Sequence, residues 1–315
     1  MSNIKSLTKQ WYWIWAVLGS LVMWMAVGVI SGNFNVTSLI ANLTSASFLT
    51  IAALGQMIVM TTGRGAIDLS IPNVITLGAF LSMGFINGDD GKFIQVSFAV
   101  LLAGALIGFL NSFLVIYMRI TPMVATLAVG YIVSSAISLY NRNFNTLAVC
   151  DVLQTVVRKR ILGIPLICYV VMIITLGIYY LFRSVTYGRA LLALGQNKKA
   201  AALAGVKVNK VELIAYVMSG ILAALTGILL SARVGGAFLG MGDTYMLDTV
   251  GSVVVGGTLA LGGRAVPGGT LFGALFFSLL VTTMQVANFS IGVQYIIKGS
   301  LIILVLVLST KKADV

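Results

Sequence analysis

Apolar residues fill the chain in runs of about twenty, separated by short polar breaks, and that run length suits a helix crossing hydrocarbon. About ten segments are long or apolar enough to span or enter a bilayer: roughly 11–31, 39–62, 69–87, 94–118, 122–140, 164–182, 212–232, 248–262, 267–287 and 291–309. The pattern predicts an all-α polytopic membrane protein organised as one transmembrane domain over 1–315. The first run, WYWIWAVLGSLVMWMAVGVI, exceeds a signal-peptide core and is followed by no small-x-small cleavage site. It reads as a retained span, with Trp11, Trp13 and Trp15 at the interface. The second run is studded with Ser, Thr and Gln. The eighth is short and glycine-rich.

Composition agrees. Of 315 residues, 59% are hydrophobic and 9% charged, against roughly 25% charged in a soluble domain. That is too little polar surface to coat a soluble particle of this size. Histidine is absent and only Cys150 and Cys168 could pair, which argues against a disulfide framework and predicts no metal or cofactor site.

The net charge of +12 suits loops rich in Lys and Arg on one membrane face, and needs no nucleic acid. With the N-terminus inside and the spans alternating, Lys5, Lys9, Arg64, Arg119, Arg183, Arg189, Lys198, Lys199, Lys207, Lys210, Arg264, Lys311 and Lys312 fall inside. Lys92, Arg142, Arg158, Lys159, Arg160 and Arg233 fall outside. The basic excess inside puts both termini in the cytoplasm. Lys298 sits within the last span.

This layout makes 183–212 a cytoplasmic segment. Its core, YGRALLALGQNKKAAALAGVKVNKVE, predicts a helix, a turn at GQN and a second helix along the membrane face. Leu191, Leu194, Ala201, Leu203 and Val206 form its apolar stripe. Two readings stand side by side: an interfacial helix drawn to anionic membrane lipid, and a docking element for a cytoplasmic partner.

The chain holds no GxxxxGK[ST] phosphate loop, no GxSxG elbow and no histidine base, so it carries no enzyme constellation. Uphill transport would draw on an ion gradient or another subunit. An ion-coupled carrier or facilitator acting alone would place an acid or histidine at mid-membrane; Asp68 and Asp248 come nearest. Asp68 reads first as a helix cap before LSIPNV. Uncharged polar residues within spans, Asn42, Ser45, Gln56, Asn111 and Gln285, need partners there. They read as helix–helix contacts or, with Asp68 and Asp248, as a polar path for a small neutral solute. The pairs Gly104–Gly108 and Gly269–Gly273 predict close packing within the chain. AALGQMIVMTTGRGAIDLSIPNVITLGAF and AALTGILLSARVGGAFLGMGDTYMLDTVGSVVVGGTLALGG share one order of helix, glycine break, Asp and small-residue helix. In the ten-span layout they run oppositely, a loose inverted repeat.

Three stretches resemble a family. TTGRGAIDLSIPNVITLGAF is similar to its T-G-G-I-D-L-S-V-G-S motif. YGRALLALGQNKKAAALAGVKVNKVELIAYVMSGILAALTGILLSAR is similar to its R-x-G-R-x-x-x-A-x-G-G-N-x-x-A-A-x-x-x-G-I block, and YMLDTVGSVVVGGTLALGGRAVPGGTLFGAL to its E-L-D-x-I-A-A-V-V-L-G-G-T-x-x-x-G-G motif. The family is that of the permease subunits of bacterial ATP-binding-cassette importers for ribose, xylose, arabinose, galactose, autoinducer-2 and related compounds. The resemblance implies a vitamin-B12-importer-like permease fold in the inner membrane, paired with a second copy or a sister permease. It implies a periplasmic solute-binding protein and a cytoplasmic ATPase as partners, with 183–212 as the coupling segment. Arg189, Gly195, Asn197, Ala200, Ala201, Gly205 and Val206 fall on matching positions. Lys198–Lys199 replace the family's Pro-Glu, which implies an acidic patch on the ATPase. Arg64 stands among the glycines, and Pro72 where the family often has Gly.

Overall fold

The computed structural model describes residues 13–142 and 148–310, with side chains to 307. Trp11, Lys5, Lys9, Lys311 and Lys312 lie outside the described residues. Among the described residues thirteen α-helices follow in order: α1 (Ile14–Ser31), α2 (Val36–Thr61), α3 (Ile71–Ile86), α4 (Phe93–Ile116), α5 (Pro122–Asn141), α6 (Asp151–Arg158), α7 (Leu166–Ser184), α8 (Thr186–Gln196), α9 (Lys198–Leu203), α10 (Val208–Val234), α11 (Tyr245–Val255), α12 (Pro267–Val286) and α13 (Ile291–Thr310). A two-stranded antiparallel hairpin, β1 (Arg160–Ile161) with β2 (Ile164–Pro165), follows α6. Among the described residues seven helices are long and apolar enough to cross a membrane: α1, α2, α4, α5, α7, α10 and α12. Three shorter apolar stretches, α3, α11 and Ile291–Val307 of α13, complete the ten segments expected. The eighth ends earlier than its hydropathy suggests, because 256–263 turns through glycines instead of continuing as helix.

Helices α2 and α10 form the centre. α2 is buried along nearly all its length, and α10 packs on α2, α3 and α4. Around them α1, α4, α5, α7 and α13 turn large apolar side chains outward, such as Ile94, Phe98, Ile132, Ile173 and Ile303. In water such a surface would be unstable; in hydrocarbon it is matched to its solvent.

The central helices run in opposite directions. The end of α2 and the start of α10 share one end of the bundle: Thr61 O accepts from Gly263 N at 3.1 Å beside Gly195, and α8 and α9 lead from there to α10. α10 lies against α3 and α4, while α2 lies against α11 and α12. Thus each long helix packs on the short helix and the following span of the other half.

α3 and α11 are too short to cross alone. Their 16 and 11 residues span about 24 and 16 Å, against a hydrocarbon core of about 30 Å. Both begin inside the bundle. The chain before α11 touches the first two turns of α3: Gly242 sits against Pro72, and its N donates to Thr76 Oγ1 at 3.1 Å. From there α3 runs to the end where Gly88 N donates to Ala148 O and Val152 N to Asp90 Oδ1. α11 runs the other way, toward Gly63 and Gly195.

Glycine permits the closest crossings. A Cβ on Gly104 would stand 2.4 Å from Gly220 O, and one on Gly108 2.3 Å from Tyr216 O. The α4–α10 crossing is therefore backbone against backbone, and the Gly104–Gly108 pair packs inside the chain. Gly269 and Gly273 likewise meet Gly256 and Ser252. At Gly177 on α7, by contrast, an added Cβ meets nothing within 4 Å. Gly220→Ala will therefore destabilise the detergent-purified chain by about 1–3 kcal/mol through overpacking and lower its thermal midpoint. Gly177→Ala, which only improves helix propensity, will stabilise it by up to about 1 kcal/mol and raise the midpoint. A scan in which both variants shift alike would contradict this packing.

Candidate functional site

The polar residues within the spans divide into two groups. The first holds a stretch of non-helical backbone inside the bundle. Asp68 is 3% exposed. Its Oδ1 accepts from Ser70 N at 3.0 Å and Ser70 Oγ at 2.6 Å, and its Oδ2 accepts from Ser219 Oγ of α10 at 2.7 Å. Asn111 of α4 donates to Ser70 Oγ at 2.8 Å. With its amide turned to satisfy both ends, Gln56 of α2 donates to Asp68 O at 3.1 Å and accepts from Asp68 N at 3.2 Å. Thr126 of α5 accepts from Leu69 N at 2.9 Å. Gln56, Asp68 and Asn111 are thus brought together, but they are fully buried against protein. Asp68 is not the cap of α3; Ser70 holds that position, and Asp68 stands two residues earlier, bridging the break to α10. Pro72, at the second position of α3, forfeits no hydrogen bond there.

The second group lines a cavity of about 210 Å³ bounded by Ser45, Leu49, Thr244, Tyr245, Asp248, Ser278, Val281, Thr282 and Gln285. Most hydroxyls of α2 return to their own helix: Thr44, Ser47, Thr50 and Thr61 donate to carbonyls four residues back. Ser45 makes no such bond and faces the cavity. Asn42 backs the wall, its Oδ1 accepting from Thr282 Oγ1 at 2.7 Å and Ser278 Oγ at 3.3 Å. Gln285 stands exposed at the end of α12.

At the cavity edge lies a buried ion pair. Asp248, in the first turn of α11, carries negative charge where the helix dipole favours it. Lys298 of α13 donates to its Oδ2 at 2.9 Å; Oδ1 lies 2.8 Å from the same ammonium, with no donor aligned to it. Both residues are nearly inaccessible. Each charge sits in an otherwise uncharged apolar run, and opposite charges so placed are expected to find one another. That is the signal by which Lys298 could have been joined to Asp248 from sequence. Ser278, Thr282 and Thr244 carried no such signal.

The segment 183–212 folds as a helix–turn–helix. Asn197 Oδ1 accepts from Ala200 N at 3.0 Å and starts α9. Leu191, Leu194 and Ala201 are buried, and Val206 half-buried, as the stripe requires. Leu203 departs from it: at 91% exposure it points away from the bundle, because α9 ends after a turn and a half and cannot keep all its apolar residues on one side. Arg189, Asn197, Ala200 and Gly205 are exposed, whereas Gly195 and Ala201 face inward. A Cβ on Gly195 would lie 2.0 Å from Thr61 O and 2.3 Å from Gly263 N. Gln196 Nε2 donates to Gly263 O at 3.4 Å. Tyr187 OH donates to Val211 O at 3.3 Å, and burial pushes its phenol well above the usual range, so it stays a neutral donor. Lys198 pairs with Glu212 of α10, so one of the two cations expected to face a partner is neutralised within the chain; Lys199 remains exposed.

A buried ion pair that loses one partner leaves an uncompensated charge. Lys298→Met and Asp248→Asn will each destabilise the purified chain by about 3–5 kcal/mol, and the double variant will recover most of the loss. Unfolding midpoints in lipid nanodiscs check this; additive losses in the double variant would show that the two side chains do not interact.

The sequence profile of the family described as branched-chain amino acid transport system / permease component matches residues 38–308. The chain is 30% identical to the ribose import permease protein RbsC of Escherichia coli (strain K12), over 99% of this chain and 98% of that protein. It is 29% identical to the protein of the same name from Bacillus subtilis (strain 168), over 94% and 92%. It is 28% identical to the galactose/methyl galactoside import permease protein MglC of Escherichia coli (strain K12), over 86% and 85%. No solved structure matches the chain.

Proposed function

The chain belongs to the branched-chain amino acid transport system / permease component family, and from that premise we propose that it is the transmembrane subunit of an ATP-driven importer for a sugar or sugar-like solute. The near full-length likeness to ribose and galactose import permeases carries the reading. A permease of this kind is a transport subunit with no catalytic chemistry of its own. The family description names amino acids, but full-length relatives named for ribose and galactose favour a carbohydrate.

The cavity supports a route for such a solute. Ser45 and Gln285 offer a hydroxyl and an amide that both donate and accept, as a polyol does, and Thr282, whose proton goes to Asn42, offers an acceptor. Asp248 adds an acceptor held in place by Lys298. Asn42 sets the Thr282 hydroxyl. The Gln56–Asp68–Asn111 group acts differently: it keeps the break before α3 closed, and solute passes elsewhere.

The ATP is split elsewhere, by a cytoplasmic ATPase, with a periplasmic binding protein delivering solute and a second copy or sister permease completing the path. The chain acts as one domain, 1–315, with both termini cytoplasmic as the basic excess favours. Its two halves form a loose inverted repeat of the vitamin-B12-importer kind, supported by the exchanged packing of α2 and α10 and by short helices that begin inside the bundle. The segment 183–212 is the handle: Arg189, Asn197, Ala200 and Gly205 meet the ATPase, while Gly195, Ala201 and Val206 join the handle to the bundle. Two global states, outward- and inward-open, are biased by the ATPase.

The test is reconstitution with the cognate ATPase and binding protein in proteoliposomes. ATP-dependent uptake of a pentose or hexose is expected, and Asn197→Ala, which loses the start of α9, will cut uptake while ATP hydrolysis persists. Thr282→Val with Gln285→Leu will reduce uptake about 10- to 100-fold, from the loss of about 1–3 kcal/mol of pairing. Uptake by this chain alone, driven by an ion gradient, would overturn the reading in favour of a carrier.

A further inference from the structure

At the end of the bundle where α8 and α9 lie, a depression of about 410 Å³ opens beside the start of α10. Arg64, from the turn after α2, and Arg119, from the turn after α4, both line it. Lys198 and Glu212 line it too, but they neutralise one another. The two guanidiniums meet no acidic side chain among the described residues. The pocket is therefore cationic, with Glu212 already committed.

Both arginines occupy backbone that disfavours them. Arg64 has φ +59° and Arg119 φ +57°, a region where a non-glycine residue is strained and glycine is not. Arg64 is even flanked by Gly63 and Gly65, at φ +90° and +67°. A turn made for geometry alone would be satisfied by glycine at both sites. Two long cations kept at strained positions, facing one cavity, point to a ligand that needs them.

The surroundings define the ligand. Val115, Ile116 and Ile120 give the pocket apolar walls. Beside it Tyr117 and Met118, in the turn after α4, and Met123 and Val124, in the first turn of α5, leave apolar side chains exposed. Past Tyr117 a second depression of about 590 Å³ adds Lys207 and Lys210. Cationic groups at the membrane edge, continuous with an apolar surface, fit an anion that carries its own hydrocarbon. We propose that this basin binds the phosphate of an anionic phospholipid, with Arg64 and Arg119 on the headgroup and the acyl chains along the Tyr117–Val124 side. A soluble phosphate compound shares the headgroup chemistry but makes no use of that side. Lys198 carries α9 into the same pocket, so a bound lipid would tie the hairpin of α8 and α9 to the turn between α4 and α5.

The experiment is native mass spectrometry of the full chain released from detergent, with phosphatidylglycerol, phosphatidylcholine and glycerol 3-phosphate added in turn. The wild type is expected to retain phosphatidylglycerol over the other two. Arg64→Gly and Arg119→Gly each remove a guanidinium while relieving backbone strain, so the variants stay folded, with unchanged or higher unfolding midpoints. Each should lower phosphatidylglycerol affinity about fivefold, the worth of one basic residue near an anionic surface. Lys92→Gln, at the other end of the bundle, should change nothing. Wild-type retention of phosphatidylglycerol by the doubly substituted chain would overturn the proposal. So would equal retention of phosphatidylcholine. Glycerol 3-phosphate binding as tightly as the lipid would replace the lipid site by one for a soluble phosphate.

Discussion

Backbone amides and carbonyls in hydrocarbon must find partners within the protein, because no water is there to supply them. Helices solve this internally, but the chain leaves the helical path twice at depth: before α3 and before α11. The first break is held by side chains from four helices: Gln56, Asn111, Thr126 and Ser219. The second leans on α3 itself, through Gly242 N and Thr76 Oγ1. These bonds decide where α3 and α11 begin, hence how short they are. They also decide where the first turn of α11 presents Asp248 to the cavity.

That cavity joins two unlike environments. On one side Asp248 borders the space with the Lys298 ammonium buried behind it, and the pair's stability rests on mutual attraction in a poorly screening medium. On the other, Ser45, Thr282 and Gln285 are open to whatever fills the space. Hydroxyl and amide groups can exchange water for a hydroxylated guest with little change in hydrogen bonding, whereas a buried charge pair resists being pulled apart.

Segment lengths were the most readable feature, because hydrocarbon thickness sets them. All ten apolar runs correspond to helices, and the hairpin of α8 and α9 followed from a helical stripe broken at GQN. Close packing at Gly104 and Gly269 was readable because small residues four apart leave backbone exposed on one face. What pattern could not tell was which polar residue faces what. Thr44, Ser45 and Ser47 look alike in sequence, yet Thr44 and Ser47 bond their own helix and Ser45 does not, a distinction set by rotation of α2 against α12. Asp68 was read as a cap because Asp before an apolar run usually is one; its link to Ser219 spans 151 positions and leaves no local trace. Lys198 and Lys199 form one cluster in sequence, but the start of α10 brings Glu212 to only the first.

The contact of Gly195 with Thr61 and Gly263 has a mechanical meaning. Where helices meet through long side chains, rotamers can absorb a displacement of an ångström or more. Here peptide planes touch with nothing between them. The joint has almost no slack, so any force that tilts the α8–α9 hairpin reaches the end of α2 and the loop after α11 nearly undiminished.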